Sequence, residues 1–269
     1  MYRKAFRFFF VPLPLLVLAR AALKLLFIDP DTGFYQGAPL LPWLFGGVTA
    51  LAVLLTVFGA ASERDAGMRV LRGTCVLEAI GFLLGLALIA VSVMMLIRLP
   101  GETRIYNVLP RWMRAAEYIL GILTGLALML FAALSGDAGR ALHKGSLALL
   151  ICLWQALYLL ERFVSFRQVG TASDQMLETL FWTATLVFWT NHARCIAGEG
   201  ASRRRTVALA LAAALFGVPC AVGQLAAAFL AHAQGDGVIL SAALMLAVAL
   251  YEIVFAVVCA HSPSEGDRY

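Results

Sequence analysis

Residues 74–97 of the chain read TCVLEAIGFLLGLALIAVSVMMLI, an uninterrupted apolar segment whose single charged side chain is Glu78. An α-helix needs about 20 mostly apolar residues to cross the hydrocarbon core of a bilayer. A segment of this length and composition therefore predicts a membrane-spanning helix. The strict alternation of a transmembrane β-strand is missing, so a helix is the remaining way to satisfy the backbone hydrogen bonds in lipid.

Seven further segments are similar to this one, and together the eight occupy almost the whole chain. The predicted spans lie near 5–28, 40–60, 74–97, 115–135, 145–160, 174–192, 206–231 and 238–260. Hydrophobic residues make up 62% of the chain and charged residues 14%, whereas a soluble domain has about 25% charged residues. We therefore predict an all-α, polytopic transmembrane helix bundle of about eight spans with no soluble domain. It forms a single membrane domain over 1–261, followed by a short cytoplasmic tail at 262–269.

The distribution of basic residues predicts the orientation of these spans. If the N-terminus is cytoplasmic, thirteen Lys and Arg lie in cytoplasmic segments and six in outer segments. This favours both termini in the cytoplasm, against the four arginines of the predicted outer loop 98–114. Compact loops and the lack of a transit signal favour a bacterial plasma membrane. Arg3, Lys4 and Arg7 also resemble the start of a signal peptide, but the apolar run continues to Ile28, which favours an uncleaved first span.

Composition and motifs argue against several classes of function. In a soluble protein the net charge of +5 would suggest nucleic acid, but beside membrane spans basic residues meet anionic headgroups. We therefore expect membrane lipids, and no nucleic acid, as partners. The five cysteines form no Cys-x-x-Cys pair or ligand cluster, so no metal or other cofactor is expected. Nucleotide-binding and hydrolase motifs are missing as well, which makes an enzyme the least favoured class.

Two spans share a glycine pattern that predicts close helix packing. Gly81 and Gly85 in the third span, and Gly121 and Gly125 in the fourth, form Gly-x-x-x-Gly motifs. Such a motif flattens one helix face, so that another backbone can approach it. We expect all four glycines to lie at helix–helix contacts. The similarity of the two segments is compatible with a vestigial repeat and with chance.

Acidic residues inside a span point to the bundle interior, because a charge at the bilayer centre costs on the order of 3 kcal/mol. Glu252 is the strongest candidate, since no basic residue lies within one turn of it on the eighth span. We expect it to face the interior, either as a proton or cation site or as a hydrogen-bonded packing residue. Its depth nominates Glu78, His192 and Gln224 as neighbours.

The sixth span is the most polar. At spacings of four and three residues its polar and aromatic side chains share one face, here called the polar stripe: Glu178, Trp182, Thr185, Trp189 and His192. The stripe predicts either the lining of a polar path or a packed interhelical contact with tryptophans at the membrane interfaces.

A second group of candidates lies toward the predicted outer surface. Arg20 and Lys24 are four residues apart and share a face of the first span. The acidic residues expected near that surface are Asp29, Asp31, Glu117, Glu161 and Glu178. The two cations either extend toward lipid headgroups or form, with these acids, a small binding site for an anionic ligand.

These features leave two functional hypotheses. The first is a small transporter or permease-like component with an intramembrane acidic site that handles a proton or a small solute. It draws on Glu252 and on three prolines expected to open helices, Pro12, Pro14 and Pro219. The alternative is a non-catalytic membrane subunit or assembly module, acting through a membrane protein partner or as a homo-oligomer. A polar cavity reaching Glu252 favours the first hypothesis, and a solid core favours the second.

Overall fold

A computed structural model describes residues 2–27, 40–63, 67–68, 74–101, 109–133, 141–164, 172–197, 201–230 and 236–261. Within these ranges the chain forms nine α-helices: α1 Arg3–Phe10, α2 Pro12–Phe27, α3 Leu40–Ala61, α4 Cys75–Arg98, α5 Arg111–Ala133, α6 Ala141–Val164, α7 Ala172–Ala197, α8 Arg203–Leu230 and α9 Asp236–His261. A 3₁₀ turn at Leu99–Gly101 follows α4, and two short strands, β1 Gly67–Met68 and β2 Ala201–Ser202, pair antiparallel. Asp29, Asp31 and the tail 262–269 lie outside the described residues.

Every predicted span coincides with a helix, and the predicted fold class, an all-α helix bundle, is confirmed. Seven segments of the described chain are long and apolar enough to cross a membrane: Arg3–Phe27, Leu40–Ala61, Cys75–Gly101, Arg111–Ala133, Leu147–Val164, Arg203–Leu230 and Val238–His261. These helices make the chain an integral membrane protein. The remaining predicted span, α7, is a 26-residue helix that is not among the seven. Its acidic, amide and basic side chains lower its apolar content, so the count of eight spans stays a prediction.

The first span is interrupted where its prolines begin. α1 ends at Phe10, Val11 forms a turn, and α2 begins with Pro12. Proline has no N–H and a fixed φ, so a helix accommodates it at its first position. Pro219, by contrast, is buried in the interior of α8, where its ring deprives a carbonyl of the preceding turn of the usual helical partner.

α8 is the central helix of the bundle. It contacts α2, α3, α7 and α9, and 78% of its most apolar window is buried, against 28% for the corresponding window of α4. Its buried residues are mostly alanine and other small residues, which allow neighbouring helices to approach closely. A Cβ on Gly217 would lie 2.5 Å from the Phe181 ring, and a Cβ on Gly223 would lie 2.8 Å from Cγ of Arg20. α8 therefore provides the surface on which α2 and α7 pack.

α4 and α5 form a close pair through the predicted glycine motifs. A Cβ on Gly85 would lie 2.6 Å from the carbonyl oxygen of Gly125, and a Cβ on Gly125 would lie 2.6 Å from that of Gly85. Gly121 faces the hydroxyl of Ser92 on α4. Gly81 faces α9 instead, where a Cβ would meet the Tyr251 ring at 3.5 Å, an ordinary contact. All four glycines thus lie at helix–helix contacts, and Gly85 and Gly125 admit no Cβ unless the backbones move apart.

Candidate functional site

Glu252 is completely buried in the core of the bundle. It lies on α9 with a relative exposure of 0%, and neither carboxyl oxygen has a hydrogen bond within the part of the chain that the structure describes. The hydroxyl of Thr185 on α7 interacts with the Glu252 carboxyl group. The geometry between these two groups falls short of a full hydrogen bond. No ion pair to Glu252 is formed by the described residues. The carboxyl group is therefore shielded from solvent, with the Thr185 hydroxyl beside it.

Thr185 belongs to the polar stripe of α7, and this stripe faces the core of the bundle. Trp182 and Trp189 are 0% and 2% exposed, so neither lies at a membrane interface. The interpretation of these tryptophans as an interfacial belt is therefore wrong. They are buried because the stripe faces α6 on one side and α9 on the other: Trp182 packs on Tyr158, and Trp189 stacks on Tyr251.

The stripe and three residues of α9 that contact it are here called the polar seam: Glu178, Trp182, Thr185, Trp189 and His192 with Ser241, Tyr251 and Glu252. Seven buried polar atoms in or beside the seam have no hydrogen-bond partner among the described residues: Gln155 Oε1, Trp182 Nε1, Thr185 Oγ1, Trp189 Nε1, His192 Nδ1 and both carboxyl oxygens of Glu252. An unsatisfied buried polar group costs about 1–3 kcal/mol. Seven unsatisfied polar atoms along one contact are unusual, because native interiors satisfy the large majority of buried polar groups.

One end of the seam is formed by His192 and Tyr251. Nε2 of His192 and the hydroxyl of Tyr251 are 3.1 Å apart, and both side chains are buried. Phe188 and Phe255 pack around the imidazole at ring distances of 5.8 and 4.7 Å. Tyr251 also faces Gly81 on α4, so Glu78, half-buried and three residues earlier on α4, lies about one turn from that contact.

The opposite end is closed by a network around Arg162. Its guanidinium pairs with Glu178 at 3.4 Å, donates to the hydroxyl of Tyr158 at 2.8 Å and donates to the hydroxyl of Ser241. Ser241 in turn lies 3.5 Å from the Glu178 carboxylate. Three helices, α6, α7 and α9, are thereby joined at this end. The guanidinium also lies over the Tyr158 ring, 5.2 Å from its centroid.

Sequence reasoning did not single out Arg162, Tyr158 or Ser241. A signal was present in the chain, because Tyr158 and Arg162 are four residues apart and therefore neighbours on one helix face. The same spacing recurs on α5, where Arg114 donates to the hydroxyl of Tyr118 at 3.0 Å. Ser241 gives no local signal, since it joins the network only through the packing of α9 against α6 and α7.

Arg20 and Lys24 are buried between α2 and α8, at 0% and 5% exposure. They do not extend toward headgroups, because α8 covers them at Gly223 and Arg20 lies over the Phe45 ring at 5.3 Å. Among the titratable neighbours that act on Lys24, Arg20 has the largest effect and Glu178 the smallest. Gln224 follows Gly223, and its amide donates to Sγ of Cys220 on its own helix at 3.7 Å.

Glu117 is buried on α5, near a second acid and two arginines. Its exposure is 4%, and it interacts electrostatically with Glu161, Arg162 and Arg114. Arg114 pairs with Glu161 at 3.7 Å. Of the outer-face candidates within the described residues, Arg20 and Lys24 thus lie together against α8, and Glu117 lies in a charge cluster with Arg114 and Glu161.

The described residues contain no group of three potential metal ligands. A shallow groove between α6 and α7 is lined by apolar side chains and by Thr190, and it opens to the surface of the bundle, where lipid chains would lie. The chain matches no known protein family, and comparisons with curated proteins and with solved structures find no similar chain. Function therefore has to be inferred from the arrangement of these residues alone.

Proposed function

We propose that the chain is a multi-pass protein of the bacterial plasma membrane that moves protons, or a small solute coupled to protons, along the polar seam. In this proposal it is a small transporter or permease-like component with both termini in the cytoplasm. Glu252 is the group that takes up and releases the proton. Glu178 and His192 lie at the two ends of the seam, where the Arg162 network and the packing of Phe188 and Phe255 must open before a proton is exchanged with either side of the membrane.

The observation that carries this proposal is the environment of Glu252. A carboxyl group in the interior of a membrane protein is expensive and is retained mainly where it serves a function. Here neither of its oxygens has a hydrogen bond to a described residue, whereas a residue kept only for packing would be expected to have partners. Its carboxyl can donate or accept a hydrogen bond when neutral and can only accept one when charged, which is the property that a proton site needs.

The length of the seam supports the same role. Fourteen residues separate Glu178 from His192 on α7, which corresponds to about 21 Å at 1.5 Å per residue. The hydrocarbon core is about 30 Å thick, so the seam extends across most of it. The atoms without partners occur at intervals between its two ends, at Trp182, Thr185 and Trp189. Hydroxyl and indole N–H groups at these positions can hydrogen-bond water, which would complete a path for the proton.

Purified protein reconstituted into liposomes tests the proposal. A pH-sensitive dye inside the vesicles reports proton entry when a potassium gradient and valinomycin set the membrane potential. We expect a flux that Glu252→Gln abolishes, because an amide has the shape of the carboxyl but cannot release a proton. Glu63→Gln is the matched control, since Glu63 follows α3 and is outside the seam. A flux unchanged by Glu252→Gln, or a wild-type protein without flux, would contradict the proposal.

The alternative is a non-catalytic membrane subunit that acts through a membrane protein partner or as a homo-oligomer. Two observations favour it: Glu252 is completely buried, as a solid core predicts, and the Arg162 end is closed by side-chain contacts that join three helices. In that case the seam fixes the packing of α7 against α9, and Glu252→Gln leaves every property intact. Identification of the proteins and lipids that co-purify with the wild-type chain distinguishes the two cases.

A further inference from the structure

Basic residues from two distant parts of the chain meet at one end of α3, outside the polar seam. The exposed side of α1 carries three cations: Arg3, Lys4 and Arg7. The other side of α1 buries Ala5 against α3, where a Cβ on Gly59 would lie 2.9 Å from the backbone nitrogen of Ala5. This contact between backbones fixes the three cations beside the last turn of α3.

α8 brings further cations to the same place. Arg204 donates to the carbonyl oxygen of Ala61, the last residue of α3, at 3.2 Å. The pairing of β1 with β2 ties the segment after α3 to the residues before α8. Arg205, the next residue, is exposed. In the described parts of α1, of the end of α3 and of the start of α8, the acidic residue present is Glu63, which is half-buried.

These side chains form a basic surface: Arg3, Lys4, Arg7, Arg204 and Arg205. We propose that this basic surface binds the phosphate headgroup of an anionic membrane lipid. Guanidinium groups match phosphate geometry with paired hydrogen bonds, and basic residues held between the ends of membrane helices recognise anionic headgroups. Phe8 and Phe10 on α1 are exposed next to the cations, so the acyl chains of the same lipid have an apolar surface to lie on. Neither the position nor the chemistry of this site depends on the proposed proton path.

Native mass spectrometry of the protein in neutral detergent tests the site. The protein is incubated with short-chain phosphatidylglycerol or phosphatidylcholine, and the bound lipid is counted. We expect preferential binding of phosphatidylglycerol, and a loss of about fivefold in affinity for each cation removed. The main variant combines Arg3→Gln, Lys4→Gln and Arg7→Gln, and Arg205→Gln is a second, milder one. Arg98→Gln, at the far end of α4, is the control and should keep the preference.

Three outcomes would overturn the proposal. The first is equal binding of phosphatidylcholine and phosphatidylglycerol by the wild-type protein. The second is an unchanged preference in the triple variant, provided that its circular dichroism and elution volume match the wild type. The third is full displacement of the lipid by millimolar inorganic phosphate, which would show that the surface recognises free phosphate and not a lipid.

Discussion

Arg162 shows how a single residue can determine the geometry of a whole seam. Its guanidinium contacts Tyr158 on its own helix, Glu178 on α7 and Ser241 on α9. One cation therefore contacts side chains on three helices, and Ser241 links two of these side chains, Tyr158 and Glu178, through hydrogen bonds of its own. Since the Arg162 and Glu178 side chains are 34% and 15% exposed, solvent weakens the charge–charge part of the contact, and the hydrogen bonds contribute the more reliable part.

A double-mutant cycle on Arg162 and Glu178 measures this dependence. Arg162→Gln and Glu178→Gln should each lower the free energy of unfolding, and the double variant should lose about 1 kcal/mol less than the sum of the two. The physical reason is that each single variant leaves the other partner without its opposite charge. Unfolding in mixed detergent micelles, followed by circular dichroism, gives the values. Strict additivity would show that the two residues stabilise the bundle independently.

Sequence reasoning nominated Glu252 but not its neighbour. The depth of Glu252 pointed to Glu78, His192 and Gln224, whereas the group beside it is the hydroxyl of Thr185. Depth follows from counting residues along a span, because each adds 1.5 Å. The rotation of α9 about its own axis cannot be predicted by counting residues, since nearly every face of that helix is apolar. Only the packing of α9 on α7 determines which side chain meets the carboxyl.

At the scale of elements, the contact between α4 and α5 depends on the absence of two side chains. The carbonyl oxygens of Gly85 and Gly125 each occupy the space that a Cβ on the other residue would need. The distance between the carbonyl oxygen and the added Cβ would be 2.6 Å in both cases. Backbone atoms cannot rotate away as a long side chain can. The same reasoning does not apply to Gly81, whose neighbour is an aromatic ring at an ordinary distance.

Four alanine substitutions separate these cases. Gly85→Ala and Gly125→Ala should each lower the stability by about 1–3 kcal/mol, because the overpacked helices must separate. Gly81→Ala should have little effect. Gly46→Ala, where nothing lies within 4 Å of the added Cβ, should be neutral or should stabilise by up to about 1 kcal/mol through helix propensity. Melting temperatures in one detergent provide the comparison. Equal melting of Gly85→Ala and Gly46→Ala would contradict the close contact.

Element positions were the part of the fold most readily predicted. The predicted span 40–60 is the helix Leu40–Ala61, and the predicted span 74–97 is Cys75–Arg98. Length and hydrophobicity are sufficient for this, because the bilayer imposes both. α7 shows the limit of the criterion: it is a helix as long as its neighbours, yet its polar stripe makes it less apolar than a typical span. Its packing against α6 and α8, with aromatic side-chain contacts to α9, compensates for that polarity, and burial of this kind cannot be inferred from one helix alone.

At the scale of the whole molecule, the orientation in the membrane is the main property to be measured. The charge distribution predicts that both termini are cytoplasmic. In the structure, four residues expected near the outer surface form two ion pairs, Arg162 with Glu178 and Arg114 with Glu161. Residues that share one end of the bundle must lie on one side of the membrane, whichever side that is.

Cysteine labelling in a cysteine-free background determines the side. Ser62→Cys, just after α3, should react with a membrane-impermeant maleimide only after the cytoplasmic side is made accessible. Gly101→Cys, after α4, should react from outside in intact cells. Both positions are exposed, so failure to react would reflect their side of the membrane and not burial. The reverse pattern of labelling would invert the predicted topology.

The central position of α8 has a consequence for biosynthesis. The ribosome makes the chain from the N-terminus, so α1 to α7 are made before the helix on which α2, α3 and α7 pack. Until residues 203–230 are made, Arg20 lacks the surface at Gly223 that covers it, and the stripe on α7 lacks α9. The nascent bundle therefore remains incomplete until the last quarter of the chain is synthesised. Until then, some of its charged and polar groups are not covered by neighbouring helices. A chain that stops before α8 should be recognised by the cell's membrane quality control and degraded.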